Sequence, residues 1–275
     1  MEVKWIALAA CAACSGGGAK KPHVIEDAPA VVKAPVAPVV PAGPYKVDDK
    51  FDKGDAQIRV EWKDTPVEAR ASSGRTACGT ARAAAVAPTT TWGIPDVVVM
   101  IDVNHGKSPT AGTGTGSGSG SGSTTGTSRV VLEHCALSPR VAIVESPWIV
   151  ASAMDAPAKV TIAKLGAARP LAIPAAAAKA AAILLPVAGH EAAVTLDPDS
   201  IAELKSDDDS AVAIVPATPY YAVTEANGQV VLRDVPVGTF DVAAWLPARA
   251  GQAARAAHGK ITVTAGGLAE VTLAL

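Results

Sequence analysis

The sequence predicts an all-β chain folded as an antiparallel β-sandwich, and three features carry that prediction. Apolar and polar residues alternate in "QIRVEWKD", which sets Ile58, Val60 and Trp62 on one side of a half-buried strand. A β-branched run, "DVVVMIDV" (96–103), has the composition of a central strand. The stretch "PYYAVTEANGQVVLRDVPVGTFDVAAWLP" (219–247) reads as strand, turn, strand, turn, strand. Asn227-Gly228 is the pair favoured in a two-residue hairpin turn, where both central positions need positive φ.

The chain has 275 residues, enough for one large or two small domains. Its net charge of -2 offers no basic surface, so nucleic acid is not an expected partner.

At the N-terminus, "MEVKWIALAACAACSGGGAKK" places Lys4 before an apolar run from Trp5 to Ala13 that is too short to span a bilayer. Small residues then lead into a cysteine. This resembles a bacterial lipoprotein signal, in which the cysteine is acylated and becomes the new N-terminus. Cys14, followed by Ser-Gly-Gly-Gly, is the expected lipidation site; Cys11, with Leu8 at the third position before it, is the alternative. Residues 1–14 are therefore read as the signal and 15–55 as a disordered Pro/Ala-rich linker. The part at 22–45 favours extended polyproline II, at about 3.1 Å per residue. The resemblance implies a chain anchored to the membrane by lipid, in the bacterial cell envelope, facing the periplasm.

Strands begin near Ala56. Residues 108–128, "SPTAGTGTGSGSGSGSTTGTS", cannot bury apolar area and are read as a flexible loop between neighbouring strands of a sheet. The tract lacks the Gly-Lys-Ser/Thr ending of a phosphate-binding loop. "RVVLEHC" and "RVAIVESPWIVASA" follow as strands. "PAAAAKAAAILLP" (174–186) is the one helix-compatible segment, because alanine favours helix and Pro174 suits a first turn. "AAVTLD", "SAVAIV" and the closing strands complete a strand-rich second half.

The closing unit, 219–275, resembles the carboxypeptidase regulatory-like β-sandwich unit through Asn227, Gly228, Pro236, Gly238, Thr239, Phe240, Val242 and Ala244. That family's unit is structural or adhesive and carries no catalytic residues. Over more of the chain, Cys78-Gly79, Cys135 and "PYYAVT" (219–224) are similar to bacterial periplasmic cupredoxin-like proteins, in which a plastocyanin-type sandwich runs into such a unit. The resemblance implies a cupredoxin-like or immunoglobulin-like sandwich at 56–218 and a regulatory-like unit at 219–275.

A type 1 copper site needs two imidazoles, a thiolate and a weak axial ligand. By the resemblance, the first histidine position falls in "SAMDAPAKV" (152–160), where Asp155 is kept and Lys159 stands in place of histidine. Glu203, Ser206 and Asp209 fall on the cysteine, histidine and methionine positions. None is a soft ligand, so no metal ligand set and no cofactor is expected. His23, His105, His134, His190 and His258 are scattered without metal-ligand spacing. His134 and Cys135, if on a strand, point to opposite faces. Asp207, Asp208 and Asp209 read as a solvated acidic turn, and Asp197 and Asp199 as part of a Pro-containing one.

No catalytic constellation emerges, and a GxSxG elbow is missing. The expected function is thus non-enzymatic: a membrane-tethered periplasmic β-sandwich protein with a structural or binding role and an unidentified protein or envelope partner. Two alternatives stand beside it. One is a cupredoxin-type copper-binding or electron-transfer protein with an altered site. The other is a hydrolase whose site needs a serine, a histidine and a carboxylate to converge. In an oxidising periplasm Cys78 and Cys135 form the expected disulfide; the rival reading makes Cys135 a copper thiolate beside His134.

Overall fold

The computed structural model describes residues 44–48, 50–64, 91–108, 128–144, 148–169, 171, 180–249 and 252–275. Cys11, Cys14, Cys78, the signal at 1–14, most of the linker and nearly all of the Gly/Ser/Thr tract lie outside the described residues. The end of the 15–55 linker does not, and there Lys46–Val47 and Lys53 onward are strand rather than linker. Within them the protein is all-β, and every regular element is a strand.

Four sheets stack among the described residues. The first outer sheet places β2 (Lys53–Glu61) between β15 (Gln229–Pro236) and β18 (Leu268–Ala274). Facing it is the order β14 (Tyr221–Val223), β3 (Val98–Ile101), β16 (Gly238–Leu246), β17 (Arg255–Val263). Next comes β10 (Ala181–Leu185), β9 (Ala158–Ala167), β12 (Ser200–Lys205), β13 (Ser210–Val215), β7 (Val141–Ile143). The far outer sheet is β11 (Glu191–Thr195), β8 (Trp148–Ala153), β5 (Ser128–Glu133), β6 (Ala136–Ser138). A small parallel pair, β1 (Lys46–Val47) with β4 (His105–Gly106), sits beside the first sandwich. Most ladders are antiparallel; β18–β2, β5–β8 and β13–β7 are parallel.

Three cores fill the gaps between the four layers, and strand alternation explains how. In β3, Val99 and Ile101 enter the core of the first sandwich, whereas Val98 and Met100 enter the middle core. In β16, Val242, Ala244 and Leu246 face the first core while Ala243 and Trp245 face the middle one. In β13, Ala211, Ala213 and Val215 face the second sandwich's core while Val212 and Ile214 face the middle one. Successive strand residues point to opposite faces, so a strand covered on both sides needs an unbroken apolar run. That is why "VVMI" and "AVAIV" do not alternate. In contrast β2, on an outer sheet, buries Ala56, Ile58 and Val60 on one face only.

Three local expectations are corrected. The helix-compatible segment ends in strand β10, whose Ile183 and Leu185 reach the second core, so sheet pairing with β9 outweighs alanine's helix preference; residues 172–179 lie outside the described ones. The strands flanking the Gly/Ser/Thr tract are not sheet neighbours: β4 lies with the first sandwich and β5 in the far outer sheet. Asn227-Gly228 lies in a tight turn closed by the Glu225 amide donating to the Gln229 carbonyl at 3.0 Å, but the strands on either side of it do not pair with each other. Only Gly228 has positive φ, at 76°, and the Gly228 amide donates to the Glu225 carbonyl at 2.8 Å. The turn carries the chain across the core from β14, which pairs β3, to β15, which pairs β2. The unit at 219–275 is completed by β2 and β3 from the start of the described chain.

Candidate functional site

A hollow of about 220 Å³ opens at one end of the second sandwich. Leu132 and Cys135, the β8–β9 turn with Asp155, then Lys159, and finally Ser206 with the acidic turn line it. Two of the copper-ligand positions inferred from sequence, Lys159 and Ser206, therefore meet around one space. The other two do not line it. Glu203 sits mid-strand in β12, registered against Ala163 and Val212. Asp209 turns away to hold structure: its carboxylate accepts from the Leu137 amide at 2.9 Å and from Arg140 Nη1 at 3.0 Å. The Ser206 hydroxyl accepts from the Asp209 amide at 3.0 Å, closing the acidic turn, and the Ser206 amide donates to the Asp209 carbonyl at 2.9 Å.

Beside the hollow, β5 and β6 are joined by a two-residue turn, with Glu133 registered against Ala136. Its two central residues are His134 and Cys135, with φ of 49° and 62°. The strand expected through Cys135 thus stops at Glu133, and the chain reverses at His134-Cys135 with the double left-handed backbone anticipated for Asn-Gly. Each such residue costs about 1–2 kcal/mol when it carries a Cβ, and such strain persists only where the surroundings over-determine it. Here the His134 amide donates to Asp155 Oδ2, and Cys135 is disulfide-bonded. The expected partner of Cys135, Cys78, lies outside the described residues.

His23 lies outside the described residues, and the remaining described histidines sit apart: His105 stacks edge-on to Phe51, His190 donates through its amide to the Val187 carbonyl, and His258 lies exposed on β17. Asp197 pairs with Lys164 at 2.8 Å. Asp199 accepts from the Arg169 amide at 3.1 Å, and burial pushes its carboxyl above the ordinary range. Sequence reasoning missed one grouping. Glu133, His134 and Asp155 offer ligand atoms that all lie within 4.8 Å of one another. Its signal was the parallel pairing of β5 with β8, which registers Leu132 against Ala153 and so sets the two turns side by side.

No protein-family model, curated protein or solved structure matches the chain.

Proposed function

We propose that this is a non-enzymatic β-sandwich protein of the bacterial cell envelope, tethered by a lipid on Cys14, or alternatively Cys11, facing the periplasm, with a structural or binding role. The cupredoxin-like resemblance of 56–218 and the regulatory-like resemblance of 219–275 belong to the same reading. The observation that carries it is the meeting of Lys159 and Ser206 with Asp155 around one hollow. Lys159 and Ser206 stand at two of the four positions where the resemblance puts a metal ligand, and with Asp155 beside them they offer an ammonium, a hydroxyl and a carboxylate. Such groups suit hydrogen bonding and charge pairing with a polar ligand or partner, and they are poor ligands for a copper electron carrier.

Cys135 lies in the wall of the same hollow, which favours the copper-binding alternative as a second reading. Its disulfide argues against that reading, since copper would need the thiolate. We assign Cys78 as the partner. The bridge would close a loop of about 58 residues, worth on the order of 4 kcal/mol in the chain-entropy description.

Mass spectrometry of the unreduced protein taken from membranes tests the reading. The expected species begins at Cys14 or Cys11, carries a diacylglyceryl group and has no free thiol at Cys78 or Cys135. An unmodified N-terminus beyond Lys20 would overturn the tether, and two free thiols would overturn the bridge. Copper titration of the same sample is expected to give no thiolate–copper band in the visible; such a band would favour the alternative.

A further inference from the structure

We propose that Glu133, His134 and Asp155 form a binding site for a divalent transition ion of the zinc type, at the tip of the second sandwich beside the hollow. Their ligand atoms already lie within 4.8 Å of one another. Tetrahedral zinc holds imidazole and carboxylate donors at about 2.0–2.2 Å, which sets ligand atoms roughly 3.3–3.6 Å apart, so a side-chain closure of about 1 Å separates the present arrangement from a bound one. The three donors come from two turns that the fold has fixed to each other. One is the left-handed His134-Cys135 reversal, and the other is the turn bearing Asp155, which accepts the His134 amide. Covalent attachment at Cys135 holds the first turn further.

The donor set selects the ion. Carboxylates alone would suit calcium or magnesium, but an imidazole beside two carboxylates suits zinc and its transition-metal neighbours. The two carboxylates offset the dication's charge. His134 is 71% and Glu133 56% exposed, and His134 Nδ1 lies 3.9 Å from Glu133 Oε1. Water therefore completes the coordination sphere, and the ion is exchangeable rather than locked in. Lys159 borders the same hollow and opposes a cation, while Asp207 and Asp208, also on its wall, offset that charge. The site uses neither Lys159 nor Ser206 as a ligand and does not depend on the lipid tether, so it stands or falls separately from the proposed function.

Calorimetric titration of Zn²⁺ into the purified, untagged full-length protein, first stripped with chelator, is the test. The expected result is one saturable Zn²⁺ per chain. Affinity should fall by about tenfold or more in His134→Ala, a loss at least as large as outer-shell substitutions cause. Glu133→Gln leaves the strained turn untouched and is expected to weaken binding too, so a folding defect in the first variant does not blunt the test. His258→Ala, outside the cluster, should bind as the parent does. Absence of saturable binding, or binding unchanged in both His134→Ala and Glu133→Gln, would overturn the proposal.

Discussion

Arg169 Nε donates to Asp102 Oδ1 at 2.6 Å, with each side chain only 7% exposed. Asp102 follows β3 and Arg169 follows β9, so the pair links the two inner sheets where the sandwiches meet. Tyr221 Oη donates to the neighbouring Ala168 carbonyl at 2.7 Å, a second polar tie across the same apolar seam.

Removing one member of this pair strands the other's charge in a dry seam. Asp102→Ala is expected to cost about 3–5 kcal/mol, whereas Asp102→Leu combined with Arg169→Met should cost far less, because desolvation of both charges disappears together. Urea unfolding of the single and double variants measures this. A double variant no more stable than Asp102→Ala would contradict the argument.

The turn at 225–228 packs backbone to backbone on Gly93. A Cβ on Gly93 would overlap the Asn227 carbonyl, and one on Gly228 would strike the Val60 carbonyl and Ile94 amide at a residue whose φ is already 76°. Gly93→Ala and Gly228→Ala are each expected to lower stability by about 2–3 kcal/mol, since neither neighbour is a side chain that can swing aside. Gly166→Ala, which would meet nothing within 4 Å, is the control and should stay within about 0.5 kcal/mol of the parent.

Burial raises the Asp199 carboxyl above its ordinary range, against the opposing pull of the Arg169 amide and guanidinium. A folded pKa above the unfolded one means the neutral acid is favoured by folding. Its stabilising contribution is present below the ordinary aspartate range and is lost as pH rises through the raised folded value. At neutral pH, Asp199→Asn should therefore gain stability, by no more than about 0.5 kcal/mol because the site is only half-buried. Asparagine also tolerates the 49° φ found there. Urea midpoints at pH 3 and pH 7 check the sign: the gain should shrink at the lower pH, and a gain that grew there would refute it.

The central strands were legible because burial on both faces leaves an unbroken apolar run, as in Val98 to Ile101. What covered the second face was not, since Val98 and Met100 look the same whether they meet a helix or another sheet. Trp245 and Ile201 share one core only through the stacking of two sandwiches. The turns were less legible still. Asn227-Gly228 carries a strong hairpin signature, yet the strands it joins find better partners in β3 and β2. His134-Cys135 carries no such signature, and its reversal is held by Asp155 and by a covalent bond at Cys135. Of the inferred ligand positions, Lys159 and Ser206 converged because they lie at the same ends of β9 and β12, whose register pairs Thr161 with Lys205. Glu203 is two residues earlier on β12, in the body of the sheet.

β2 is the middle strand of its sheet, yet both its neighbours, β15 and β18, come from the far end of the described chain, with Leu268 registered against Asp55. The second sandwich, by contrast, is assembled wholly from strands between Ser128 and Val215. Emerging from a ribosome or a translocon, the chain can complete the second sandwich while β2 still waits with both edges bare. The first sandwich shuts only when β18 has been delivered, and long-range pairings of this kind are slow to form. A chaperone that shields an unpaired strand would act on β2 during that interval, and loss of the last strand would leave the same edge open for good.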